Sequence, residues 1–203
     1  MNQQFLYSHH NFWPYMASHH LQQTDTAYKV YLYIFYVCGF MMLSIMAYGI
    51  WAMLKEWNEN GTYVMGEVLV TTEFPFPHFA KLTTWLFFAC IIGWYCVSRI
   101  GWKRAVGLHS WRMSLLQLML LAFTIINLYE VLYNFTILNA LIGAGTVDGH
   151  VPDIDRLTIA YPDQTRPWNL IFATKIFLVG FLISAHAFYL STRPRKSKEE
   201  LET

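Results

Sequence analysis

Glu130 lies in one of the most apolar stretches of the chain, INLYEVLYNFTILN (Ile126–Asn139), together with Asn127, Asn134 and Asn139. On a helix, Asn127, Glu130 and Asn134 stand at i, i+3 and i+7. They share a stripe roughly 60° wide, while Asn139 points elsewhere. A carboxylate in hydrocarbon is costly, so such a stripe is expected to face other helices and to find a partner. Lys175, in the last apolar segment, is the candidate. If the two segments are antiparallel neighbours, Glu130 and Lys175 fall at comparable depth. The expectation is a Glu130–Lys175 ion pair, with Asn127 and Asn134 completing the hydrogen bonds. Three readings stay open. The cluster Asn127, Glu130, Asn134 and Lys175 could be structural glue, each contact contributing on the order of 1 kcal/mol. It could belong to a proton or cation relay that continues through His186, eleven residues below Lys175. Or Lys175 could snorkel outward on its own.

The other residues able to do chemistry are histidines and cysteines. His9, His10, His19 and His20 form an HH…HH pattern with Pro14 between the pairs. A bend there could gather them around a metal ion, although paired histidines near a chain end are more often solvated. His78 and His150 fall in connecting loops near Glu73, Asp148 and Asp153, with no spacing that demands a site. His186 alone lies within an apolar span, near its inner end. It is a candidate inner-side ligand or relay group, yet one histidine cannot supply both axial ligands of a haem. Cys38, Cys90 and Cys96 sit in apolar runs without a CxxC pair, and read as buried small side chains. No P-loop, dinucleotide fingerprint, nucleophile elbow or HExxH motif is present. The expectation is therefore a chain without catalytic residues of its own.

The elements that must position these groups follow from composition. The chain has 203 residues, 55% of them hydrophobic and 13% charged, about half the charged share of a soluble domain. Four segments are apolar for long enough to cross a bilayer: about Val30–Leu54, Leu82–Val97, Met113–Ile142 and Leu170–Leu190. The third exceeds the roughly 30 Å hydrocarbon core and should tilt, kink or protrude. The expected fold is an all-α membrane protein, a four-transmembrane-helix bundle with two extended outer loops. Residues 1–27 would form an N-terminal arm, 28–192 the membrane domain and 193–203 a tail. The net charge of +1 gives no reason to expect nucleic acid as a partner.

Basic residues set the expected orientation. Arg99, Lys103, Arg104 and Arg112 join spans two and three, and Arg193, Arg195, Lys196 and Lys198 follow span four. Both groups should be cytoplasmic, and so should both termini, in a cell-membrane protein. The connections 55–81 and 143–167 would then form an outer cap. TYVMGEVLVTT reads as a short strand or hairpin arm, EFPFPHF as extended, and Pro167 as suited to the first turn of the last helix. Small-xxx-small steps at Ala89/Gly93 and Gly180/Ser184 would let helices approach closely. The aromatic N-terminal arm should pack on lipid or on another membrane subunit.

The third and fourth spans, with NLYEVLYNFTILNALIG followed by YPDQTRPWNLIFATKIF leading into the fourth, resemble small four-span membrane proteins of ammonia-oxidising archaea. The resemblance implies an accessory subunit of the archaeal ammonia monooxygenase, a copper membrane enzyme, with Glu130, Asn134, Trp168 and Lys175 as family features. The spans lack the acid-plus-histidine copper ligands of that enzyme's catalytic subunits. Copper or haem would then belong to partner subunits. Taken together, the expected function is a non-catalytic accessory subunit of a multi-subunit membrane complex. The alternatives are a small transporter or proton conductor using Glu130 and Lys175, and a haem-binding electron-transfer subunit using His186.

Overall fold

The computed structural model describes residues 26–106, 109–150, 152–159 and 166–192. Four long helices, α1 (Thr26–Asn60), α3 (Leu82–Val106), α4 (Ser110–Val147) and α5 (Leu170–Thr192), coincide with the four apolar segments, and each is long and apolar enough to cross a membrane. A helix satisfies every backbone group within its own segment, which is what a hydrocarbon environment requires. The helices run past the apolar windows at most ends. At 38 residues, α4 is about 57 Å long.

The helices are arranged as an open row. α1 packs on α3, α3 on α5, and α5 on α4, while α1 and α4 form no seam with each other. The four spans expected from the sequence thus lie side by side, with α3 and α5 inside the row and α1 and α4 at its edges. The two small-residue steps lie at the two main seams. A side chain at Gly93 would touch Cys38 and Met42 of α1, and one at Gly180 would overlap the Asn127 amide of α4. The cysteines are free, and the Cys90 thiol lies 3.3 Å from the Met42 thioether across the α1–α3 seam.

The two long connections fold together over one end of the row, the cap end. A five-residue helix, α2 (Glu67–Thr71), occupies the stretch expected as a strand. Its β-branched residues favour extended chain, but burial decides: Leu69 and Val70 are buried in the core with Ile45, Leu86 and Phe172. Gly66 precedes α2 with φ of +81°, and a Cβ there would overlap the Phe172 ring. Only glycine meets both conditions. The proline-rich stretch turns back on itself: Phe74 N–H donates to the Ala80 carbonyl at 2.8 Å, Leu82 N–H to the Thr72 carbonyl at 3.0 Å, and the Phe74–Pro75 peptide is cis.

The second connection supplies a 3₁₀ turn (Ile154–Arg156) and a two-residue antiparallel pair, β1 (Thr158–Ile159) with β2 (Trp168–Asn169). It joins the first connection through main-chain bonds from Met65 N–H to the Pro167 carbonyl and from Asn169 N–H to the Met65 carbonyl, both 2.9 Å. Pro167 thus lies in the cap rather than in the first turn of α5. That helix is capped by Asn169, whose side-chain oxygen accepts from Phe172 N–H at 3.1 Å.

Candidate functional site

The α4–α5 seam collects several polar groups of both helices. Asn134 is the one residue of α4 that is fully buried, at 2% exposure. Around it α4 turns a polar edge toward α5. Gln117 donates to the Ser191 carbonyl at 2.8 Å, and Thr124 Oγ1 lies 3.1 Å from Ser184 Oγ. The Asn127 amide lies against Gly180 and also donates to the Phe123 carbonyl one turn back, at 2.7 Å. These contacts order the two helices antiparallel, with Asn127 beside the midpoint of α5. Asn139 is exposed, and its amide donates to the Phe135 carbonyl.

Above Asn127, toward the cap, the seam opens into a cavity of about 130 Å³. It is lined by Glu130, Tyr133 and Asn134 of α4, Ala173 and Phe177 of α5, and Ile159 and Trp168 of the cap pair. Glu130 is half-buried there. No ion pair or hydrogen bond within the described residues reaches its carboxyl group. The side-chain N–H₂ of Asn134 is buried and also without a partner.

The structure does not form the Glu130–Lys175 pair. Lys175 Nζ donates to Thr84 Oγ1 of α3 at 3.0 Å, and the charges acting on it are Asp155 and Lys81 of the cap. The reason is azimuth. At about 100° per residue, Lys175 stands about 160° round α5 from Ala173 and Phe177, so one group faces α3 and the other α4. Lys175 thus reaches across to Thr84, near the cap end of α3.

His186 shares the α3-facing side. The Trp94 indole N–H of α3 donates to its Nδ1 at 3.0 Å. An indole can only donate, so Nδ1 is the lone-pair nitrogen and the ring proton of the neutral imidazole resides on Nε2. That is the reverse of the usual metal-bound histidine, which donates from its far nitrogen. Beside Lys175 this face is packed by Leu86, Phe87, Cys90, Ile176 and Val179. The space left there, about 10 Å³, is near the least that one water needs.

A third charged group lies in the cap. Lys81 Nζ is 2.7 Å from Asp155 Oδ2 and 3.5 Å from Glu73 Oε1. Asn169, fully buried, donates to the Asp155 carbonyl at 2.6 Å, which ties this cluster to the start of α5. The His78 backbone N–H, 2.7 Å from Glu73 Oε2, holds the Glu73 carboxyl below the usual carboxylate range. The hydrogen bond to Asp155 raises the Lys81 amine above its usual value. His78 takes a left-handed φ of +66° in making this turn. Among the described residues, no three of His, Cys, Asp and Glu gather around a common point. His9, His10, His19 and His20 lie outside the described residues.

Sequence reasoning singled out Asn127, Glu130, Asn134, Lys175 and His186, and missed Gln117, Thr84, Trp94, Asn169 and the Glu73–Lys81–Asp155 cluster. Asn169 carried a signal, an asparagine directly before an apolar run. No family model matches the chain, and neither a curated protein nor a solved structure matches it. What the fold defines is a class: a multi-pass protein with four candidate membrane-spanning helices in an open row under a small cap.

Proposed function

We propose that the chain is a non-catalytic structural subunit of a larger integral membrane complex, with both termini on the cytoplasmic side of the cell membrane. The observation that carries this is Tyr129. It lies on α4 two residues from Asn127, hence about 3 Å along the axis from the midpoint of α5. It is 63% exposed, on the side away from the seam, with its ring stacked on Tyr133. Within the described residues its hydroxyl has no hydrogen-bond partner. A phenol at the level of a bilayer midplane cannot reach water, and leaving a hydroxyl unpaired in hydrocarbon costs several kcal/mol, roughly 4–8 on an alkane scale. A helix from another subunit, laid along the exposed face of α4, would supply the acceptor. Tyrosine is also at home in subunit interfaces, where one end of the side chain is apolar and the other polar.

The resemblance of the third and fourth spans to proteins of ammonia-oxidising archaea suggests which complex: a copper membrane monooxygenase of the ammonia monooxygenase type, its copper or haem held by other subunits. Purification from gently solubilised native membranes tests the proposal. Other multi-pass subunits should co-migrate in stoichiometric amount. A lone monomer that keeps its fold would overturn the subunit reading. A complex without monooxygenase subunits would overturn only its assignment to that enzyme.

A further inference from the structure

We propose that the aromatic tip of the first cap connection, residues 74–79, is a membrane-surface anchor whose rings lie in the lipid boundary on the cap side of the bilayer. Glu73 and Lys81 form an antiparallel bridge, and between them the chain turns with Phe79 N–H donating to the Phe76 carbonyl at 3.3 Å. Phe74, Phe76 and Phe79 are each more than half exposed, and the Phe76 and Phe79 ring centroids are 4.9 Å apart. Large apolar rings gathered on one exposed loop mark a contact surface.

Trp85, one turn into α3, fixes where the tip sits. Its indole N–H donates to the Phe74 carbonyl at 3.0 Å, and the Phe79 ring stacks on it with centroids 6.0 Å apart. Phe88, Ile92 and Tyr95 of α3 are exposed, and with Trp85 they fall within about 80° round the helix. The tip therefore leans over an exposed side of α3. The apolar part of that helix, Leu82–Gly101, has 20 residues. That is about 30 Å of helix, which only just equals the hydrocarbon core. With no length to spare, Leu82 stands at the edge of the core, and Trp85 lies at the depth where tryptophan anchors a span. The rings beside it meet lipid.

The polar groups of the loop favour the same occupant. Pro75 and Pro77 have no N–H to leave unpaired. Phe74 N–H donates to the Ala80 carbonyl, His78 N–H to Glu73 Oε2, and Phe79 N–H to the Phe76 carbonyl. A main chain whose donors are filled internally loses little on leaving water. The charges stay at the base, where Lys81 meets Glu73 and Asp155. An apolar tip on a charged base has the division of an interfacial anchor.

The inference rests on α3 crossing a bilayer. It holds whether or not the chain is a subunit, and whichever side the cap faces. The experiment uses the full chain in phosphatidylcholine nanodiscs, with the native cysteines replaced and one nitroxide attached at Phe76→Cys. Power-saturation EPR reads its collisions with oxygen, which concentrates in the bilayer, and with a water-soluble nickel chelate. Phe88→Cys is the lipid reference, and Asn60→Cys, at the end of α1, is the water reference. The oxygen-to-nickel ratio at 76 should exceed that at 60 at least three-fold. A ratio equal to that at 60 leaves the tip in water and overturns the proposal. Exclusion of both reagents also overturns it, because protein, a second copy of the chain, then covers the tip. A ratio at 88 no higher than at 60 removes the crossing itself, and the inference falls with it. The same reading at Pro77→Cys keeps all three rings, so the outcome does not hang on the turn closing without Phe76.

Discussion

The Asn127 amide of α4 occupies the place where a side chain at Gly180 of α5 would project. A glycine on one helix and a polar group on the other let the helices approach near the middle of their seam. Beyond this contact stand Thr124 with Ser184 and Gln117 with the Ser191 carbonyl on one side, and Asn134 on the other.

Replacing Gly180 should therefore separate these helices. Gly180→Val forces Asn127 out of its place and should lower stability by about 1–3 kcal/mol, the usual range for overpacking a close contact. A thermal unfolding series in detergent reads this. In a background without native cysteines, Thr124→Cys with Ser184→Cys should form a disulfide in the otherwise unaltered chain and lose it when Gly180→Val is added.

Glu130 and Lys175 provide a second discriminating pair. Removing one member of a buried ion pair strands the other and typically costs 3–5 kcal/mol. Here Lys175 bonds to Thr84 instead. Glu130→Gln should thus change stability by less than about 1 kcal/mol, and the loss from Lys175→Met should be the same with or without Glu130→Gln. Coupling above about 1 kcal/mol in that cycle would restore the pair.

What the sequence made legible was axial. Apolar run lengths placed the four helices, and the i, i+3, i+7 spacing placed Asn127, Glu130 and Asn134 along one edge of α4. The depth comparison between Glu130 and Lys175 was sound as far as it went. It lacked the order of helices in the row: with α3 on one side of α5 and α4 on the other, two groups at equal depth face opposite ways. The residues TYVMGEVLVTT failed for a related reason. Their β-branched character is local, whereas the burial of Leu69 and Val70 against Ile45 and Phe172 is tertiary. The Trp94–His186 contact and the Lys81–Asp155 bridge join residues 92 and 74 positions apart, and no local pattern announces such pairs.

Trp94 and His186 should behave as a coupled structural pair. His186→Leu leaves a half-buried indole N–H without its acceptor and should cost about 1–3 kcal/mol, while Trp94→Phe with His186→Leu should recover part of that loss. A double-mutant cycle on unfolding free energies measures the coupling, expected at about 1 kcal/mol. If a haem spectrum of the native complex disappeared with His186→Gln, the structural assignment of this residue would fail.

The cap should loosen at both extremes of pH. Glu73 has a folded pKa below its unfolded value, so its contribution is complete above the usual carboxylate range, declines as pH falls below roughly 4 and is lost below the depressed folded value. Lys81 has a folded pKa above its unfolded value. Its contribution is complete below the usual lysine range, declines as pH rises above roughly 10 and is lost above the raised folded value. Limited proteolysis of residues 65–81 against pH, in bilayers stable at both ends, should show a plateau of protection between these limits. Asp155→Asn should narrow it on the alkaline side.

The most direct test of the subunit proposal is photo-cross-linking from position 129 in native membranes, with a photoreactive phenylalanine analogue replacing Tyr129. The account predicts a covalent adduct with a second polypeptide, because the exposed face of α4 near the midpoint of α5 lies against another subunit. Adducts with lipid alone, at a position that still folds and inserts, would contradict it.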